Sequence, residues 1–191
     1  MYYPKCTEDV GALVHTCDPC NNVERGRVRS IVMVDPLGDL TMEELAELAL
    51  EKWKQGIDSG QITLLPRTIG SFDGGTPIEG DGYGDETSRL IGYNYALDAK
   101  DPSYVANIAF WQAAEKKTWW LAYRTESLIH FVKGSVKVQA KAPVEEGLDT
   151  DVVWNLHFAW ASDEKPTAKD FEPIAELFEK GCVKGGTEPV A

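Results

Sequence analysis

The side chains able to carry chemistry are four cysteines, three histidines and one run of acids among glycines. Cys6, Cys17 and Cys20 read C-x10-C-x2-C, and Cys182 lies far downstream. A four-cysteine zinc site takes two closely spaced pairs. Only Cys17 and Cys20 form one, with His15 as a further candidate ligand. Residues 1–10, MYYPKCTEDV, lack a basic segment followed by an apolar stretch, so no secretory leader is expected. Stable disulfides are then not expected either. Free or buried thiols are the ordinary expectation, with zinc and disulfides both left open.

Residues 71–86, SFDGGTPIEGDGYGDE, hold five glycines, five acids and one proline. Asp73, Glu79, Asp81, Asp85 and Glu86 are the hard oxygen ligands that calcium prefers. Their order departs from D-x-[DN]-x-[DN]-G, and Asp and Gly in turns ordinarily serve backbone geometry. Gly80, Gly82 and Gly84 lack the spacing of a phosphate loop, and the acids around them have the wrong charge for one. No G-x-S-x-G elbow is present. His130 and His157 lie in alternating segments, where a histidine is usually polar surface. The chain has 31 acidic residues, so many carboxylate pairs are available and none is singled out for glycoside chemistry. No catalytic residue, cofactor or metal is expected, and the chain is not expected to be an enzyme.

Charge narrows the partners. Nineteen basic against 31 acidic residues give a net charge of −12 over 191 residues. Such a surface repels phosphate backbones and anionic lipid heads. No apolar run approaches the roughly 20 residues of a membrane helix, so no membrane partner is expected. The length fits one domain with a core of its own.

The elements that must position these residues follow from periodicity. Residues 1–26 read as an irregular N-terminal arm. Residues 27–34 form a strand with Val28, Val32 and Val34 on one face and Ser30 between them; Arg27 and Arg29 point the other way. Thr41 and Glu44 make a capping box that opens a helix ending near Gly56. Leu45, Leu48, Ala49 and Trp53 share its apolar face. Residues 61–70 are extended and interrupted at Pro66, as an edge or broken strand. Residues 71–88 then form a long acidic, glycine-rich loop, of a length that usually marks function or disorder.

Residues 89–99 alternate cleanly, with Ile91, Tyr93, Tyr95, Leu97 and Ala99 on one side. A second helix over 104–117 carries the stripe Val105, Ile108, Ala109 and Ala113, widened by Phe110 and Trp111, so it is expected to pack against more than one surface. Strands follow over 118–125, 128–132, 135–142 and 151–160. In the last, Val152, Trp154, Leu156, Phe158 and Trp160 face inward, and Asn155 and His157 outward. Trp119 and Trp120 are adjacent and must point to opposite faces, so burial of both requires a strand covered on both sides. A short helix over 170–180 is capped by Asp170, and 184–191 form a flexible tail. Six or seven strands and two or three helices make an α+β domain. Its expected form is a mostly antiparallel β-sandwich or partly closed barrel with two to three flanking helices.

Three segments carry a resemblance: residues 24–34 (ERGRVRSIVMV) after the cysteine-containing arm; residues 69–113, from IGSFDGG through DPSYVANIAFWQA; and residues 122–129 (AYRTESLI) with 141–160 (KAPVEEGLDTDVVWNLHFAW). In these the chain resembles a family of virion structural proteins of phages that infect Bacteroidetes, across most of one domain. The resemblance implies a tail-tube-like fold and a virion subunit that self-assembles into a hexameric or dodecameric ring, as tail tube or neck connector around the DNA exit channel. Other tail and neck proteins are the implied partners, and DNA passes as cargo that does not stick to a negative wall. The glycine-rich loop is expected to contact neighbouring subunits through Phe72, Asp73, Gly74, Gly75, Asp81, Tyr83 and Asp85. The competing reading of the acids and aromatics is a carbohydrate- or calcium-binding β-sandwich module.

Overall fold

The computed structural model describes residues 26–66, 68–82, 88–144 and 152–179. Within them lie ten strands, four short helices and one 3-10 turn, and every strand pairing is antiparallel. The α+β class and the mostly antiparallel sheet are therefore as expected. The N-terminal arm, all four cysteines, His15 and the C-terminal tail lie outside the described residues, apart from Gly26.

Strand β1 (Ser30–Val34) is buried along its whole length. It pairs with β2 (Ile62–Leu65) on one side and with β6 (Thr118–Arg124) on the other. β6 next pairs with β7 (Leu128–Phe131), and β7 with β10 (Thr167–Asp170). At its start β6 also pairs with β8 (Val136–Lys141) through Trp119↔Val136. From there the order runs to β9 (Trp154–Ser162), to β5 (Ser88–Asp101), and to β3 (Ile69–Phe72) and β4 (Thr76–Asp81). A bridge Val28↔Gly70 links the approach to β1 back to β3.

Two apolar clusters result. One holds Ile31, Leu97, Leu121, Val138, Leu156 and Phe158 among others, and helix α3 (Ile108–Ala114) brings Trp111 and Ala114 to it. The second lies on the other face of β1, β6 and β7. There Val32, Val34, Ala122 and Ile129 meet Leu45 of α1 (Met42–Ala46), Trp53 of α2 (Leu50–Asp58), and Ile174 and Phe178. Ile174 closes the 3-10 turn Glu172–Ile174, and Phe178 belongs to α4 (Ala175–Glu179). Trp119 belongs to the first cluster and Trp120 packs against the second, so β6 is covered on both sides.

Several expectations need correction. Val28 packs with Ile31 and Met33, not with Val32 and Val34. The chain crosses from β3 to the β2/β6 pairing between Val28 and Ser30, and the crossing shifts the alternation by one residue. The helix expected from Thr41 to Gly56 is two helices. Its capping box is present, with Glu44 N donating to Thr41 Oγ1 and Thr41 N to Glu44 Oε2. The break lies at Leu48, whose φ is +58°. The Leu45 carbonyl there accepts from Leu48 N and from the Trp53 indole at 2.9 Å, so a side chain takes over part of the role of the missing helical bond.

Helix α3 is also shorter than expected and turned. Ile108, Phe110 and Trp111 of the expected stripe pack on the first cluster, while Val105, Ala109 and Ala113 face solvent. Asp101 is the cause: its Oδ2 accepts from Trp111 Nε1 at 2.9 Å and Asn107 Nδ2 at 2.6 Å, and its Oδ1 from Ser103 N. The last helix begins later than expected. Residues 167–170 form β10, and Asp170 Oδ1 accepts from Glu172 N, so it holds the first turn as a capping residue would. β9 keeps the expected inward face, with Trp154, Leu156, Phe158 and Trp160 buried, but starts later than 151, leaving Val152 half-buried ahead of the strand.

Candidate assembly interface

The long loop expected over 71–88 is largely strand. Residues 76–81 form β4 and pair with 88–94 of β5. Composition hid this strand, because Pro77 and Gly80 both weaken strands. Both are tolerated here because β4 is an edge, where a missing N–H costs no ladder bond. The register also shifts between Ile78 and Glu79, an irregularity of the kind edge strands accept.

The start of the segment is anchored in the first cluster. Phe72 closes β3 and stacks 5.9 Å from Trp160 and 5.8 Å from Tyr95, with Tyr123 at 5.2 Å. These rings spend their faces on one another and Tyr95 and Trp160 are buried, so they form no open platform for a sugar ring. Burial pushes the hydroxyls of both Tyr95 and Tyr123 above the usual phenol range. Asp73 begins the turn, with Oδ1 accepting from Gly75 N at 3.0 Å. Gly74 and Gly75 hold φ of +79° and +93°, and a Cβ on Gly75 would run into the Tyr95 ring. The turn thus needs glycine for backbone reasons.

Beyond this anchor β5 outruns its partners. β9 pairs with it only from Tyr93 onward and, among the described residues, 88–92 pair with β4 alone. Among the described residues nothing packs over the outer part of the ribbon, residues 79–81 and 88–91, while Gly92 is buried against Ser162 and Asp163. Leu90 is 55% exposed and Ile91 56%, one on each face of the strand. Ile91 was expected inside; it is exposed because the strand extends past the core. Glu79 and Asp81 are exposed on β4. Of the seven residues expected in assembly, Phe72, Asp73, Gly74 and Gly75 anchor this ribbon and Asp81 sits near its tip. Tyr83 and Asp85 lie outside the described residues.

At the other end of β5, the outer face of β3, β5, β9 and β8 carries a groove of about 700 Å³. Cross-strand register sets its two rows: Lys141, Asn155, Lys100 and Ile69, then Gln139, His157, Asp98 and Ser71. His157 Nδ1 and Asp98 Oδ1 are 2.7 Å apart. Lys100 and Lys141 are exposed and have no ion-pair partner among the described residues. Sequence reading had placed His157 on an outward face but gave no sign of this groove, because its residues come from four separate strands.

Among the described residues no three His, Cys, Asp or Glu side chains converge as a metal site, and no helix is long and apolar enough to cross a membrane. Comparison of the chain with protein-family models, with curated proteins and with solved structures gives no match in any of the three.

Proposed function

We propose that the protein is a virion structural subunit of a phage that assembles with copies of itself into a ring, as a tail tube or neck connector around the DNA exit channel, and that it has no catalytic role. The observation that carries this reading is the β4–β5 ribbon, uncovered among the described residues, with Leu90 and Ile91 exposed on opposite faces. A two-stranded ribbon is at best marginally stable alone in water. Two apolar side chains at its end gain stabilisation only when another surface covers them. The resemblance of residues 24–34, 69–113, 122–129 and 141–160 to phage virion proteins supports the same reading. So does the charge of −12, which suits a wall past which DNA slides.

In this reading the pairing order β5, β9, β8, β6, β1 returns through Val28↔Gly70 to β3 as a partly closed barrel. The first cluster is its interior, and α1, α2 and α4 flank it as they would in a tail-tube-like subunit. Light scattering and negative-stain microscopy of the purified chain test the reading. Wild type is expected as annuli of six or twelve copies. L90D/I91D is expected as a folded monomer, because both side chains already face solvent in the free subunit. Annuli formed as well by L90D/I91D as by wild type would rule the ribbon out as the assembly element.

A further inference from the structure

We propose that the groove between Lys100 and Lys141 receives the acidic ribbon of a second copy of this chain, with Glu79 and Asp81 of one copy meeting the two lysines of the next. This rests on the self-assembling reading above and names the surface that completes it. Three observations lead to it.

The first is charge. With 31 acids against 19 bases, two copies repel unless a locally positive patch meets a negative one. Lys100 and Lys141 sit two strands apart in one cross-strand row, with only the neutral Asn155 between them. Neither is neutralised within its own chain among the described residues. Asp98, the acid in the neighbouring row, is engaged with His157. Glu79 and Asp81 are likewise exposed and without ion-pair partners among the described residues.

The second is apolar match. Ile69, 60% exposed, forms the end of the lysine row. Leu90 and Ile91 stand exposed on the ribbon at the point where β5 carries one extra residue, with Ile78 opposite Gly92 and Glu79 opposite Leu90. A ribbon laid in the groove brings Leu90 or Ile91 against Ile69 while its acids reach the lysines.

The third is geometry. Leu90 and Lys100 lie on one continuous strand, ten residues apart and so about 33 Å. The ribbon cannot fold back into its own groove without breaking β5. Its acceptor must belong to another copy. A protruding element at one end of a subunit and its receptor at the other make a head-to-tail contact, the kind that closes into a ring when the rotation permits.

Charge reversal with rescue tests this in the full chain. K100E/K141E is expected to weaken association at least about tenfold, and so is E79K/D81K, with unchanged melting of either monomer. Mixing the two variants is expected to restore assembly in alternating order. A carbodiimide cross-link joining Lys100 or Lys141 to Glu79 or Asp81 should be recovered between isotope-labelled and unlabelled copies. If wild type itself stays monomeric at every concentration, the assembly reading and this contact both fail. If wild type assembles and K100E/K141E assembles equally well, only the groove assignment fails. Retention of duplex DNA by the wild-type monomer, lost in K100E/K141E, would overturn the assignment in favour of a phosphate site.

Discussion

Asp101 accepts from Ser103 N, Asn107 Nδ2 and Trp111 Nε1 while only 6% exposed. Asp101→Ala leaves the indole and the amide without an acceptor in the interior. It is expected to cost about 3 kcal/mol, read from the urea midpoint. Trp111→Phe removes one donor and keeps most of the burial, so it should cost clearly less; equal losses would mean that packing, not the carboxylate, orients α3. Periodicity included Trp111 in a widened apolar stripe but could not show that the tie to Asp101 would turn Trp111 inward and leave Val105, Ala109 and Ala113 in solvent.

Tyr123 carries a second residue-scale expectation. Burial raises its hydroxyl above its ordinary value, so the native state keeps a proton that the unfolded chain releases above about pH 10. Stability is unaffected below that pH and falls as pH rises through it, by about 1.4 kcal/mol per unit for one tyrosine. Tyr123→Phe should show a shallower fall between pH 9 and 11 in urea melts. Part of the slope should persist, since burial also raises Tyr95.

At the scale of elements, the two faces of β9 were legible, though not where it begins and ends. Its alternation of large apolar residues with Asn155, His157 and Ala159 needs no context to be read, because one face is buried and the other is not. Trp154 is buried, and its indole donates to the Tyr104 carbonyl at 3.0 Å. Trp154→Ala should cost about 3–5 kcal/mol in a denaturant melt. His157→Ala, on the exposed side, should stay within about 0.5 kcal/mol of wild type in the free subunit. Equal behaviour of the two variants would contradict the inward face of β9.

β4 was illegible for the opposite reason. Thr76-Pro77-Ile78-Glu79-Gly80-Asp81 has little strand propensity of its own, and the strand exists because β5 offers an open edge. The break at Leu48 was hidden too. Leu45, Leu48 and Trp53 suit a continuous helix, and nothing local announces that the Trp53 indole will take the Leu45 carbonyl. The candidate interface is therefore half legible: its acids and glycines stand together in sequence, while the lysines proposed to receive them come from β5 and β8.

Across the whole molecule, stability should be distributed very unevenly. β1 and β6 lie between the two clusters, with apolar residues on both faces. Arg124, at the end of β6, lies over the rings of Phe171 and Phe178 at 4.6 and 5.3 Å, so the α4 region is held to the same strand. The amides of β1 and β6 can exchange with solvent only when both clusters open, so their protection should approach that of global unfolding. The outer ribbon, 79–81 and 88–91, has one ladder and, among the described residues, no covering layer, so it should open locally at small cost. Hydrogen–deuterium exchange of the free subunit should therefore show these ribbon amides exchanging many-fold faster than those of 30–34 and 118–124. In the assembled particle the ribbon should become protected together with residues 98–100 and 139–141, because the proposed contact covers both at once. Protection of the ribbon without change at 98–100 and 139–141 would locate its acceptor elsewhere on the neighbouring copy.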